Sequence, residues 1–442
     1  MQSVITCFWG AFGMGKSWLL LEFEHLYEDG GLLPPDGSNP TIAARLDLNR
    51  EILPALWQND RLNREQLIRE LWKQLASQLS TTMPNLERAS ADEWAEAFVN
   101  EVTLWSTRSA TPIIMLDTVD DLVTQDERTF FWIEQHLVEP LALTDRVLFV
   151  FTSRGELRRW KRFQVRRRVE LHRLSPFDAE TAAEEVGADP RLGKVLLRYA
   201  FGHPLITDYL GTELKARGID LQAAQEVEET IEPSLMHGIL GDVRREILRT
   251  VPELSSILAR YASVLRWVSV EPLRFLAEEM SLIESGHGDA FYLNLVAELQ
   301  AHHLLYWSSE RNTYEPDPVL RRLMAYFLEL DDSAQFAEAH LAAFDFHRDH
   351  LSQYPQYLAR YVPELAYHRA TLNRLEVLEP QRPTLEAWWE QFLSGKEPIH
   401  PKRWAELAEA LERDEELREV LSIEDYERLH SEAQSRAARQ AD

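Results

Sequence analysis

Hydrophobic and polar positions follow one pattern up to about residue 155 and another beyond it. In the first part, short apolar runs of strand type alternate with longer segments whose apolar residues recur at helical spacing. Near-continuous apolar strands separated by helices are typical of a parallel sheet with helices on both faces, so this part predicts an α/β domain. The strand runs are Val4–Trp9, Thr41–Leu48, Thr111–Asp117 and Arg146–Thr152, and the helical segments are Ser17–Tyr27, Arg64–Leu79, Asp92–Ser106 and Glu127–Leu141.

The pattern becomes helical from about Leu171. Helical segments follow one another up to His303, and then two strand-like runs, Leu304–Trp307 and Thr313–Pro316, predict a hairpin. Helices followed by a hairpin is the order of a winged-helix domain. We therefore predict an α/β sheet domain over 1–155, a helical domain over 156–237, a winged-helix domain over 238–330 and a C-terminal α-helical region over 331–442.

Composition narrows the class of protein. The 442 residues carry a formal net charge of −26, which argues against nucleic-acid or anionic-membrane binding by the surface as a whole. No apolar run approaches the roughly 18 residues of a membrane-spanning helix. Cys7 is the single cysteine, so no disulfide can form within the chain, and a reducing, cytoplasmic location is expected.

A glycine-rich segment carries the strongest chemical signal. Residues 10–17 read Gly-Ala-Phe-Gly-Met-Gly-Lys-Ser and fit G-x-x-x-x-G-K-[ST], the phosphate-binding loop (P-loop) of nucleoside triphosphatases. Its glycines are expected at positive φ with their N–H groups aimed at phosphate oxygens, Lys16 at the β- and γ-phosphates and Ser17 at Mg²⁺. The predicted nucleotide-binding residues here are Gly10, Gly13, Met14, Gly15, Lys16, Ser17 and Trp18.

Polar residues at other strand ends extend this site, because the carboxyl ends of parallel strands meet at one edge. Asp117 ends a buried strand and is predicted to bind Mg²⁺ with Ser17; the alternative is a helix N-cap. Asp120 or Asp121 would orient or deprotonate the attacking water, unless both lie in a solvated loop. Arg154 would contact the γ-phosphate, unless it is a surface arginine. The predicted catalytic residues are Lys16, Asp117, Asp120, Asp121 and Arg154.

In sequence order these segments resemble the STAND class of P-loop ATPases, which includes the NB-ARC and NACHT groups. Asp117–Leu122 is similar to the acidic Walker B segment of the NACHT type, and Phe151–Arg154 to the sensor-1 segment of the NB-ARC type. Gly202–Leu205 resembles the G-x-P motif of the lid, which implies that Pro204 packs near adenine. The resemblance covers about residues 1–330 and implies that 1–155 is the P-loop nucleotide-binding domain and 156–237 the helical lid domain. Asp317 stands where the family has an ADP-sensing histidine.

The resemblance implies an ATP-binding switch in signal transduction with slow ATP hydrolysis. ADP would hold the domains closed, while Mg²⁺ and ATP would open them and favour a homo-oligomer that controls an effector. Only nine residues precede the P-loop, so we expect the effector in a separate protein or in a C-terminal region, unless the sequence is a fragment.

Two other functions fit the P-loop. One is a kinase that transfers the γ-phosphoryl group to a small substrate, and the other is a scaffold that binds nucleotide without turnover. The long helical part favours the switch over the kinase, and the acids at Asp120 and Asp121 favour hydrolysis over the scaffold. No Asn-Lys-x-Asp guanine motif occurs, so ATP is expected rather than GTP.

A basic segment between Arg154 and Arg173 stands out in this acidic chain. A subunit interface, a nucleic-acid contact and a solvated face all fit it. The predicted recognition helix of the winged-helix domain is Phe291–His303. It has no Lys or Arg and carries Glu298, which argues against nucleic-acid binding. The basic residues are Arg154, Arg158, Arg159, Lys161, Arg162, Arg166, Arg167, Arg168 and Arg173.

Overall fold

The computed structural model describes residues 4–28, 41–49, 53–59, 61–84, 86, 89–108, 110–222, 227–228, 231–308, 311–376, 389 and 399–438. They form two compact units, Met1–Glu228 and Glu229–Asp442, which are treated separately. The turn-rich segment after α1 lies outside the described residues. The three boundaries between the four predicted domains stay predictions.

The first unit contains a five-stranded parallel sheet in the order β2-β5-β6-β1-β7. The four predicted strands are confirmed. The fifth, β7, corrects the expectation that strands end near residue 155. A separate two-stranded hairpin joins β3 and β4. The strands are β1 Ile5–Trp9, β2 Thr41–Asp47, β3 Trp57–Gln58, β4 Arg61–Leu62, β5 Thr111–Asp117, β6 Leu148–Ser153 and β7 Val169–Arg173.

Helices cover both faces of this sheet, as predicted. Alternate residues of a strand point to opposite faces, so Ala43 and Met115 pack with Leu20 of α1, while Ile42 and Ile114 join the larger core on the other face. The helices are α1 Lys16–Glu28, α2 Arg64–Gln78, α3 Ala91–Arg108, α4 Val119–Gln125, α5 Glu127–Ile133, α6 Glu139–Ala142 and α7 Phe163–Arg166, with a π-helical turn at Glu134–Val138 between α5 and α6.

A small helical bundle follows β7 within the same unit. Asp178 caps its first helix by accepting a hydrogen bond from the Thr181 N–H at 2.8 Å, and Gly187 ends that helix at a φ of 67°. The helices are α8 Ala179–Val186, α9 Gly193–Ala200 and α10 Pro204–Ala216, with a 3₁₀ turn at Pro190–Leu192.

Within its described residues, the second unit is helical apart from one hairpin. Strands β8 Leu305–Ser308 and β9 Thr313–Pro316 follow a run of helices, which is the predicted winged-helix order, and Asp317 caps the next helix through the Val319 and Leu320 N–H groups. None of the helices in the described ranges has the length and apolar character of a membrane span. They are α11 Pro233–Leu248, α12 Glu253–Ala262, α13 Val270–Glu279, α14 Asp289–Ala301, α15 Pro318–Asp331, α16 Ser333–Gln353, α17 Leu358–Arg374, α18 Pro401–Arg413, α19 Glu415–Val420 and α20 Ile423–Ala438.

Candidate nucleotide-binding site

The P-loop connects the end of β1 to the start of α1. Gly13 and Gly15 have φ angles of 74° and 80°, in the region that glycine enters without steric penalty. Gly10 does not have positive φ, which corrects the expectation for that residue. A Cβ there would lie 3.4 Å from Cβ of Met14 and 3.5 Å from Cβ of Leu174, which are ordinary van der Waals distances.

Lys16 lies against the inside of this loop. Its Nζ donates hydrogen bonds to the carbonyl oxygens of Gly10 and Ala11, both at 2.8 Å. A Cβ built on Gly15 would meet nothing within 4 Å, so the space beside that residue is open. Phosphate oxygens in that space would be stronger acceptors than neutral carbonyls. The loop therefore offers a cation and an open concave surface together.

The remaining predicted loop residues differ in exposure. Ser17 is exposed in the first turn of α1, where its hydroxyl is accessible to an ion. Trp18 is 77% exposed beside it. Met14 is buried, so any contribution it makes to phosphate binding comes from its backbone N–H and not from its side chain.

Asp117 is held rigidly at the carboxyl end of β5. It is only 1% exposed, and its Oδ1 accepts hydrogen bonds from the Thr118 N–H at 3.0 Å and from the Thr152 hydroxyl. Its Oδ2 is buried without a hydrogen-bond partner, and the nearest cation, Nη2 of Arg45, is 3.8 Å away. A fixed carboxylate with one unpartnered oxygen is suited to bind a hard cation.

Thr118 adds backbone strain at this point. Its φ of 56° and ψ of 43° place a β-branched residue in the left-handed region, which such side chains rarely enter. Strained conformations of this kind persist where the surroundings hold them, and they concentrate at functional sites. Here the strain lies between Asp117 and helix α4.

Asp47 is a second carboxylate that the sequence analysis did not single out. It lies opposite Asp117 in the register of β2 and β5, and it accepts a hydrogen bond from the Asn49 N–H at 2.9 Å. Burial, together with the charge of Asp117, raises the pKa of Asp47 against the effect of that hydrogen bond. The cause is that two carboxylates share one low-dielectric edge, an arrangement that a bound cation would relieve.

Arg154 is clamped by two acids of helix α4, Asp120 and Asp121. Its backbone N–H donates to Oδ1 of Asp120 at 3.0 Å, its Nε donates to Oδ2 of Asp120 at 2.7 Å, and its Nη2 donates to Asp121. Burial opposes the charge of this guanidinium, but the two carboxylates outweigh it and raise the pKa of Arg154. Asp120 and Asp121 lie in the first turn of α4 and not in a solvated loop.

The helical bundle contacts the P-loop directly. Nδ1 of His203 accepts a hydrogen bond from the Ile206 N–H at 3.4 Å, so Nε2 carries the proton and donates to the Phe12 carbonyl at 2.8 Å. The Leu205 N–H donates to the Gly13 carbonyl at 3.3 Å. A Cβ on Gly13 would lie 2.4 Å from Cε1 of His203, so only glycine fits. This loop–lid contact places Pro204 at the first turn of α10 beside the loop.

The basic segment separates into paired and exposed residues. Arg168 is buried and pairs with Asp145 at 3.2 Å, while Arg158 pairs with Glu156 at 2.6 Å. Arg166 and Arg167 are exposed, next to Phe163, which is 58% exposed. The guanidinium carbon of Arg167 lies 5.4 Å from the centre of that ring. Much of the segment is thus solvated or paired, and a small cationic and aromatic patch is left.

The sheet register therefore gathers most of the predicted residues at one edge. Trp9 pairs with Ser153, and Asp47 pairs with Asp117, so the P-loop, Arg154 and both carboxylates follow adjacent strand ends. Strand β6 lies between β1 and β5, which puts Asp117 two strands, or about 10 Å, from the strand that leads into the P-loop. The roles assigned to these residues stay predictions.

The chain is remotely similar to several solved structures. A Walker-type ATPase of Pyrococcus abyssi is 17% identical, with 73% of this chain and 91% of that chain covered at a TM-score of 0.43. The ADP form of the Aeropyrum pernix ORC2 protein is 12% identical, with 76% and 89% covered at 0.45. Drosophila ORC bound to DNA is 14% identical, with 74% and 81% covered at 0.33. No protein-family model and no curated protein sequence matches the chain.

Proposed function

We propose that the chain is an ATP-binding switch of the STAND type, which hydrolyses ATP slowly and controls an effector in signal transduction. The loop–lid contact is the observation that supports this best, because His203 and Leu205 hold the carbonyl groups of Phe12 and Gly13. A lid bonded to the loop that binds phosphate can respond to the nucleotide, since phosphates that reorganise the loop also change these bonds.

The residues present fit Mg²⁺ and ATP or ADP. In the proposal the loop N–H groups and Lys16 bind the β- and γ-phosphates, and Pro204 lies near the adenine. The Ser17 hydroxyl and the unpartnered Oδ2 of Asp117 hold Mg²⁺, which neutralises phosphate charge when bound. The pKa of Asp47 is raised by burial first and by the charge of Asp117 second, and a cation at the same edge would counter both effects.

The clamped state of Arg154 accounts for slow turnover in this proposal. Its guanidinium is occupied by Asp120 and Asp121, so these three groups are engaged with one another and not with the phosphates. A γ-phosphate would have to compete with both acids for Arg154. A scaffold that binds nucleotide without turnover is the second candidate function, and the same clamp favours it.

The proposed function is tested by measuring the size of the full chain by light scattering with ADP and with a non-hydrolysable ATP analogue, both with Mg²⁺. A switch becomes larger with the ATP analogue than with ADP. Equal size in both nucleotides, together with tight binding of each, would contradict the switch. Phosphate release in ATP then separates the slow ATPase from the scaffold.

Replacing Asp121 by asparagine is expected to reduce ATP turnover by at least about tenfold and to enrich the ATP-bound oligomer. The reason is that a positioned carboxylate that handles the proton of the attacking water contributes roughly 10²–10⁴-fold to rate. Steady-state phosphate release and light scattering check this. Asp208→Asn makes the same chemical change on an exposed lid residue and should alter neither measurement. Unchanged turnover in Asp121→Asn would move the role to Asp120 or to neither acid.

Reversing Arg166 and Arg167 to glutamate is expected to prevent ATP-driven homo-oligomers while leaving nucleotide affinity unchanged. Arginine and exposed aromatic residues are enriched at protein interfaces, and an acidic neighbour would meet this patch favourably. The matched control is the pair Lys215→Glu and Arg217→Glu, which changes the net charge equally at exposed lid positions. Arg168 stays unchanged because it is buried against Asp145. Assembly as in the wild type would exclude this interface.

Nucleic-acid binding is not part of the proposal. Helix α14 of the winged-helix segment contains no Lys or Arg and has Asp289 and Glu298, so it would repel phosphates. A mobility-shift assay with duplex DNA at low salt tests this directly. Binding at micromolar protein that weakens steeply with salt would overturn it.

A further inference from the structure

Four ionisable side chains lie buried between two helices of the second unit. His340 and His347 are on α16, and Glu364 and His368 are on α17. Spacings of seven and four residues put each pair on one face of its helix, and the two faces meet. One ligand atom from each of His347, Glu364 and His368 lies within 4.8 Å of the other two.

The histidines of this cluster have nitrogens without partners. Nδ1 of His347, Nε2 of His368 and Nε2 of His340 are buried and make no hydrogen bond. An unpaired polar atom in the interior is unfavourable, and native structures contain few of them. Three on adjacent rings indicate that the cluster accommodates something besides these side chains.

The hydrogen bonding within the cluster suits metal ligation. Nδ1 of His368 lies 2.9 Å from Nδ1 of His340, so one ring donates to the other. If His368 is the donor, its Nε2 keeps a lone pair, which is the arrangement of a ligating histidine that is oriented by a neighbouring acceptor.

Charged side chains surround the cluster, and their carboxylates can accept a cation. Arg266 donates to both oxygens of Glu364, at 3.0 and 3.1 Å, and also to both oxygens of Asp414, at 2.8 and 2.7 Å. Arg321 donates to Glu416. In this network three carboxylates face two guanidinium groups, and Arg360 is a further cation near His347. Arg266 can keep Asp414 while one oxygen of Glu364 turns to an ion.

We propose that His347, Glu364 and His368 form a structural Zn²⁺ site that ties α16 to α17. Two imidazoles and one carboxylate are a common zinc donor set, and the tetrahedral geometry is completed by one further ligand. Zinc ligands at about 2.0–2.2 Å from the ion lie roughly 3.4 Å apart, so the side chains move closer by about 1 Å. Complete burial makes the role structural, because no substrate reaches the ion.

Purified, untagged full chain is treated with chelator and titrated with Zn²⁺. We expect about one zinc per chain by elemental analysis, a rise in the thermal unfolding midpoint, and tetrahedral visible absorption with Co²⁺. His347→Gln and Glu364→Gln should weaken binding at least about 100-fold, and His340→Gln, which acts through His368, about 10–100-fold.

The control variant is His350→Gln, on the same helix as His347 but outside the proposed ligands. It should bind zinc like the wild type. No zinc and no thermal shift in the wild type would overturn the proposal and leave buried water as the partner of the nitrogens. Equal binding by wild type and a folded His347→Gln variant, checked by circular dichroism, would show adventitious surface binding only.

Discussion

Replacing Lys16 by alanine is expected to weaken ATP and ADP binding by roughly 10–150-fold. The ammonium group lies against the loop, where it donates to the Gly10 and Ala11 carbonyls at 2.8 Å. A hydrogen bond to a charged group contributes about 1.5–3 kcal/mol, and each 1.4 kcal/mol is about tenfold in affinity. Titration calorimetry of the full chain with Mg²⁺ and ATP measures the change.

The control for this variant is Lys73→Ala, which removes an exposed lysine from helix α2. It has the same effect on net charge and should bind nucleotide like the wild type. The thermal unfolding midpoint of each variant without nucleotide shows whether the fold is intact. A well-folded Lys16→Ala chain with wild-type affinity would refute nucleotide binding at this loop.

Gly13→Ala is expected to release the lid from the P-loop. A residue other than glycine at a φ of 74° costs about 1–2 kcal/mol. Its Cβ would also lie 2.4 Å from Cε1 of the buried His203 ring, and overpacking of this kind costs a further ~1–3 kcal/mol. The lowest-energy relief is a shift of α10 away from the loop.

Gly15→Ala is the matched control for this prediction. Its φ of 80° carries the same backbone penalty, but the added Cβ would meet nothing within 4 Å. The two variants are compared by hydrogen exchange of the Leu205 and Ile206 amides without nucleotide. The Leu205 amide bonds to the Gly13 carbonyl, and the Ile206 amide bonds to the His203 ring that caps α10. Faster exchange in Gly13→Ala only is expected; equal rates would mean that the contact does not depend on Gly13.

The sheet was predictable where its strands are buried on both faces. Runs such as Thr111–Asp117 are apolar throughout, and the structure has that strand at the predicted bounds. Strand β7 was missed because it lies at the sheet edge and reads Val-Glu-Leu-His-Arg, with its polar positions exposed. Its hydrophobic signal is weak because none of its five side chains is fully buried, whereas β2, the other edge strand, is mostly buried and was predicted.

The sequence predicted which strand ends form the candidate site, but it did not predict the hydrogen bonds and strand pairings between their residues. Nothing in the local sequence shows that Arg154 bonds to two acids more than thirty residues before it. The pairing of Asp47 with Asp117 depends on which strand lies beside β5. A search for acids at the ends of all strands, and not only after the most apolar one, would have found Asp47. The contact between α16 and α17 could not be predicted from the sequence either, because the spacing of residues along a helix does not show which helix packs against it.

The loop–lid contact also bears on kinetics. Two hydrogen bonds join the loop to the start of α10, at the carbonyl groups of Phe12 and Gly13, so the lid opens only when both bonds break. Release of ADP would then follow the opening rate of the lid and be independent of ADP concentration. Variants that loosen His203 would shorten the residence time of nucleotide more than they slow its association. In such a switch, the contact made by the His203 imidazole would set the rate of nucleotide release.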